Sequence, residues 1–174
     1  AAFLVSKGIP ATKVHVSGFP VALGFADRPG HLHPTAPGTG TKFRVLFMIN
    51  SKRSTALKIA SELMLQRDWH ITITAGRDEP LQLALQTMAE KSSASVEILG
   101  WTSRIPELLM SHHVVISKAG GATTQESINA LCPLIVSQIV PGQEEGNFEL
   151  INRNEAGALA ETPEAIIATL QHAV

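Results

Sequence analysis

Ser117-Lys118-Ala119-Gly120-Gly121-Ala122-Thr123-Thr124-Gln125-Glu126 is the stretch that decides the fold. The run 114–117 that leads into it is apolar almost throughout, the mark of a strand buried on both faces of a parallel sheet. Gly120-Gly121 then breaks the run, and Thr123-x-x-Glu126 has the spacing of a helix start. Outward from this point the same alternation repeats. Apolar runs at 43–49, 71–75, 96–99 and 134–137 read as strands, and 158–160 as a weaker one. Helical periods lie between them. Ala56, Leu57, Ala60, Leu63 and Met64 fall on one face, as do Leu81, Leu85, Met88 and Ala89 after Asp78, which reads as an N-cap. Residues 105–110, 123–131 and 144–152 read as further helices, and 163–172 as a closing helix with proline near its first turn. Buried strands alternating with helices predict an α/β fold, a parallel sheet with helices on both faces. Ligands of such sheets sit beyond the carboxyl ends of the strands, where the glycine pair falls.

Upstream the pattern is less regular. Residues 13–17 alternate and predict a short strand within an entry segment, 1–26. Residues 27–42, rich in Pro, Gly, Thr and His, predict a loop, leaving 43–174 as the main domain. Gly38-Thr39-Gly40 precedes a strand instead of joining strand to helix, so it fails as a dinucleotide loop, and no Walker sequence is present. The chain opens without Met on what reads as the tail of a helix ending at Gly8, which suggests a fragment with more chain upstream.

At 174 residues, 44% hydrophobic and 17% charged, the chain suits a single globular domain and not a disordered one. A net charge of −1 gives no general attraction to nucleic acid. No apolar run approaches the ~20 residues that span a bilayer. Cys132, the single cysteine, excludes an internal disulfide and reads as a small buried apolar residue. His31-x-His33 and His112-His113 lack acids or cysteine at ligand spacing, so no metal site is expected; His15 and His70 read as structural residues in strands.

Chemistry concentrates at the predicted carboxyl edge. The Gly120-Gly121 pair allows close approach of a phosphate or ribose to the backbone, or else serves a tight turn needing positive φ. Thr123 and Glu126 fit a capping box, the simpler reading on spacing alone; the carboxylate can instead accept both hydroxyls of a ribose. Pro141-Gly142-Gln143-Glu144-Glu145-Gly146-Asn147 reads as a loop entering a helix; Gln143 and Glu144 suit hexose hydroxyls, or else form a solvated, capped helix start, and Glu145 is expected to be exposed. Asn50-Ser51-Lys52-Arg53-Ser54 follows the first strong strand; Ser51, Lys52 and Arg53 suit a diphosphate, or form a polar helix start with solvated cations. Two helix starts, bare N–H groups and these side chains together are equipment for a nucleotide diphosphate and a sugar.

In this order, the residues resemble glycosyltransferase family 28. The likeness is to monogalactosyldiacylglycerol synthases and processive diacylglycerol glucosyltransferases, and more distantly to the peptidoglycan-precursor N-acetylglucosaminyltransferase. Its most specific parts are Lys118-Ala119-Gly120-Gly121 with Glu126, and 141–147; it extends from Lys7-Gly8-Ile9-Pro10 to Gly157. The resemblance implies a GT-B enzyme, of which this chain is the Rossmann-like, donor-binding C-terminal half. It implies that Glu126 holds the ribose, with Ala122, Thr123, Gly120 and Gly121 lining the nucleotide. Trp101, Thr102 and Ile105 would line the uracil, with packing as the other reading of Trp101. Gln143 and Glu144 would contact the hexose, with Asn147 supporting the loop. Relatives often carry a glycine-rich loop where this chain has Asn50–Ser54, and an arginine after the proline matched by Pro20, where this chain has Val21-Ala22-Leu23.

The implied activity is transfer of galactose or glucose from UDP-galactose or UDP-glucose to a lipid such as diacylglycerol, without a metal or other cofactor. The general base and the lipid acceptor would belong to an absent N-terminal domain, and the catalytic residue is therefore unassigned. The parent would sit peripherally on the cytoplasmic face of a membrane, with this piece soluble and inactive alone. A UDP-sugar 2-epimerase shares the fold and is the second reading; a non-catalytic nucleotide-binding module is the third.

Overall fold

The computed structural model describes residues 1–26, 33–37 and 40–173. Its centre is a parallel sheet in the order β3-β2-β1-β4-β5-β6, built from β1 (Phe43–Met48), β2 (Trp69–Thr74), β3 (Ser95–Leu99), β4 (Val114–Lys118), β5 (Leu134–Gln138) and β6 (Gly157–Leu159). Seven α-helices among the described residues accompany it: α1 (Ala2–Ser6), α2 (Arg53–Leu63), α3 (Glu79–Glu90), α4 (Ile105–Ser111), α5 (Gly121–Ala130), α6 (Glu145–Arg153) and α7 (Pro163–His172).

The period-two geometry of the strands sorts the core into two layers. Phe43, Val45 and Phe47 of β1 pack with Ile71 and Ile73 of β2 against Ile59 and Leu63 of α2, Leu81 and Leu85 of α3, and Ile166 and Leu170 of α7. Leu46 points the other way, to Val115, Leu134 and Val136, under Leu109 of α4, Ala130 of α5 and Ile151 of α6. Apolar residues on both strand faces are therefore used, which is why the runs do not alternate. Asp78 caps α3 by accepting the Leu81 N–H at 3.0 Å, and Thr162 caps α7 through the Ala165 N–H at 3.2 Å.

Four expectations change. Residues 13–17 join no strand: Ala11–Lys13 is a 3-10 turn, and residues 14–17 pair with no strand of the sheet. Val16 is 80% exposed, so its alternation buries nothing. His15 accordingly lies outside any strand, whereas His70 lies in β2 and meets Ser95 Oγ at 2.9 Å. The helix after the glycine pair begins at Gly121, not Thr123, and no side chain caps it. The capping box is therefore not formed. Of the histidine pair in the loop, His31 lies outside the described residues, as do Gly38 and Thr39 of the Gly-Thr-Gly stretch.

Cys132 is buried, 3% exposed, and burial pushes its thiol up to about 12. His112, 2% exposed, ends α4. Its Nδ1 lies 2.7 Å from the Leu108 carbonyl, which can only accept, so Nδ1 donates and Nε2 accepts from Thr72 Oγ1 at 2.9 Å. His113 is likewise structural, its Nδ1 accepting the Arg44 N–H at 2.9 Å. No group of His, Cys, Asp and Glu among the described residues is placed to hold a metal ion.

Candidate nucleotide-sugar site

The order of strands reverses between β1 and β4. That switch point is the usual ligand position of such a sheet. The exit of β1 is tied across it: Asn50 Nδ2 donates to Ser117 Oγ at 2.6 Å, and Asn50 Oδ1 accepts the Lys118 N–H at 3.2 Å. Ser51 Oγ, in the same loop, is buried without a partner. The cations differ from each other. Arg53 is held by Asp78, Nη2 to Oδ1 at 2.7 Å, while exposed Lys52 stands at the N-cap of α2 and supplies no side-chain cap.

On the other side, Gly120 has φ −67° and ψ 142°, and neither Gly120 nor Gly121 has positive φ. The glycines are thus not demanded by the turn. A Cβ at Gly120 would lie 3.6 Å or more from any neighbour, and one at Gly121 3.8 Å from Asn147 Nδ2 and 4.0 Å from the Phe19 ring. Because α5 has no side-chain cap, the N–H groups of Gly121, Ala122 and Thr123 emerge here without helical partners. They carry the positive end of the helix dipole.

Glu126 lies further along α5, half-buried, and no group among the described residues bonds its carboxylate. Burial alone raises its pKa above the usual carboxylate range. Trp101 is not packing: it is 64% exposed, with the Arg77 guanidinium 5.4 Å from its ring centroid. Thr102 Oγ1 accepts the Arg104 N–H at 3.1 Å and so shapes the turn into α4, which Ile105 begins.

The 141–147 segment is joined to the end of β4 and the glycine turn. Gln143 is exposed. Glu144 is buried, 4% exposed, with Oε1 at 2.5 Å from Lys118 Nζ and Oε2 accepting the Val140 N–H at 2.9 Å. Asn147 Nδ2 donates to the Ala119 carbonyl at 2.9 Å, docking α6 on the glycine turn. Glu145 is exposed as expected, yet its Oε1 accepts the Gly142 N–H at 2.6 Å, which lowers its pKa. Neither Lys118 nor Phe19 stands out in the sequence as a site residue. The one signal for Lys118 is its place inside the glycine motif.

A doubly wound parallel sheet with an uncapped helix end and a glycine turn at its switch point is a Rossmann-like domain, here of the GT-B glycosyltransferase type. The family model described as "Glycosyltransferase family 28 C-terminal domain" matches residues 50–169, and the chain belongs to that family. It is similar to the processive diacylglycerol beta-glucosyltransferase of Staphylococcus epidermidis (strain ATCC 12228 / FDA PCI 1200), 27% identical over 171 residues, covering 94% of this chain and 43% of the relative. The protein of the same name from Staphylococcus haemolyticus (strain JCSC1435) is 30% identical over 168 residues, with the same coverage of each chain. The chain thus spans less than half the length of these curated relatives. Among solved structures it is similar to the glycotransferase of kitacinnamycin (TM-score 0.67, 15% identity, 97% of this chain and 43% of that one). It is also similar to UDP-GlcNAc 2-epimerase from Neisseria meningitidis bound to UDP-GlcNAc (TM-score 0.65, 15% identity, 97% and 49%). At such identities these likenesses show the fold alone.

Proposed function

We propose that this domain binds the nucleotide-sugar donor of a hexosyltransferase that moves glucose or galactose from a UDP-sugar to a lipid acceptor such as diacylglycerol. The observation that carries the reading is the start of α5 at the switch point, with Gly120 as its N-cap, no side chain capping it and room for a Cβ at both glycines. A diphosphate there meets the N–H groups of Gly121, Ala122 and Thr123 and the helix dipole. As the glycosidic bond breaks, the same donors stabilise the charge that develops on the leaving UDP, so the scheme needs no metal. Ser51 and Lys52, across the switch point, are the remaining phosphate candidates from β1.

Glu126 accepts the two ribose hydroxyls, and the uracil lies along Trp101, Thr102 and Ile105. The hexose extends toward 141–147. No general base is assigned among these residues; in this scheme the base and the lipid site belong to a second domain, which brings the parent to a membrane surface. No helix among the described residues is long and apolar enough to cross a membrane. The 2-epimerase reading has only the shared fold behind it.

Glu126→Gln tests the ribose assignment. The ionised carboxylate accepts hydrogen bonds from a diol better than an amide does, so UDP affinity by calorimetry should fall about tenfold. Burial opposes the charge on Glu126, so the folded domain holds the proton more tightly than the unfolded chain, and stability declines as pH rises through this range. Removing the charge should therefore raise the melting temperature at pH 7 while binding weakens. Glu149→Ala, on the exposed face of α6, is the control and should leave both unchanged. Undiminished UDP binding in Glu126→Gln would refute the assignment.

A further inference from the structure

The carboxylate of Glu144 is bonded on both oxygens. Oε1 takes the Lys118 ammonium and Oε2 the Val140 N–H, and only 6% of the side chain is exposed. Gln143, next to it in the chain, is exposed. The bonds of Glu144 join the end of β4, the exit of β5 and the start of α6. They coincide with an irregularity in the sheet. Ser117 pairs with Val136 but Lys118 with Gln138, so β5 carries an extra residue at the point where Lys118 meets Glu144. Bulges of this kind re-aim a side chain beside a site.

We propose that Lys118 and Glu144 are a positioning pair: together they fix the 140–144 loop, and Gln143, not Glu144, reads the hexose. The proposal rests on the donor-binding reading for its hexose half only. Glu144 is buried and Lys118 partly exposed (6% and 34% of the side chains), so removing the lysine leaves a buried, uncompensated carboxylate, whereas replacing both with neutral groups need not cost stability. Lys118→Met should therefore loosen the loop, and the double variant should recover it. Glu144→Gln keeps a carbonyl for the Val140 N–H, and Lys118→Met keeps the length of the side chain without its charge.

Amide hydrogen exchange on the ligand-free 174-residue chain is the first readout. Exchange at Val140 should quicken about tenfold in Lys118→Met and return to within about threefold of wild type in the double variant. Lys118→Arg keeps the ion pair and should stay close to wild type. The second readout is the ratio of affinities for UDP-glucose and for UDP-galactose over UDP. The better hexose should lose its gain in Lys118→Met and regain it in the double variant. Unchanged loop exchange in Lys118→Met would overturn the pairing role. Restored exchange with the hexose gain still missing in the double variant would mean that Glu144 touches the sugar directly, and would overturn the proposal. Equal wild-type affinity for UDP and both UDP-hexoses would remove the hexose-reading role from the loop. If the wild-type chain binds none of the three, the donor reading fails, and loop exchange alone still decides the pair. Should Lys118→Met fail to fold, folding of the double variant supports the pair, and failure of both overturns it.

Discussion

Gly120 sits in a backbone conformation that any residue adopts, with room for a Cβ. The local fold therefore does not require glycine here. Gly120→Ala should leave the thermal midpoint within about 2 °C of wild type, since the fold has no use for the missing methyl. The same change should weaken UDP about tenfold or more by standing where the ligand meets the backbone; normal binding would return the glycine to a purely local role. His112 makes the complementary point, a titratable group serving the fold alone. Burial lowers its pKa from 6.5 to about 4. A folded-state pKa below the unfolded one means that this group's contribution is whole above about pH 6.5 and is lost as pH falls toward 4. The loss amounts to about 3 kcal/mol at ~1.4 kcal/mol per pH unit. NMR titration should find the His112 imidazole neutral down to about pH 4, and an imidazole titrating near 6.5 would contradict its burial.

At the scale of elements, the local sequence misplaces the start of α5 and places its end to within a residue, without showing how it closes. Thr-x-x-Glu is a local pattern, and a capping box is its cheapest local reading. The start of the helix at Gly121 is instead set by packing: Asn147 and α6 hold the turn at Ala119 from 28 positions away. At its far end the helix closes on Leu131, with φ 56° and ψ 34°, a left-handed conformation that costs a branched side chain energy. Cys132 N–H bonds Ser127 and Leu131 N–H bonds Ile128, the pattern of a Schellman motif that normally carries glycine. Leu131 is 68% exposed, so little burial is lost on its removal. Leu131→Gly should stabilise the domain by about 0.5–1 kcal/mol in urea unfolding. Destabilisation would show that Leu131 packs against something in solution. The 13–17 segment departs from expectation for a different reason: its alternation is real, but it pairs with no strand of the sheet and Val16 stays exposed.

For the whole molecule, the parallel sheet was legible because its four central strands are buried on both faces and carry apolar runs, β1 and β4 most clearly. The helices of the two layers were legible from their periodicity. The glycine turn, Glu126 and the 141–147 loop were visible as positions at strand ends. Not visible were the partners that decide their roles, because those lie far off in sequence: Lys118 with Glu144, Arg53 with Asp78, Asn50 with Ser117. Donor binding depends on one placement, a nucleotide diphosphate at the start of α5. Backbone NMR of the isotope-labelled chain titrated with UDP tests it most directly. The predicted result is that the amides of Gly121, Ala122 and Thr123 shift most, followed by those around Thr102. Shifts centred elsewhere on the sheet, or none at saturating UDP, would contradict it.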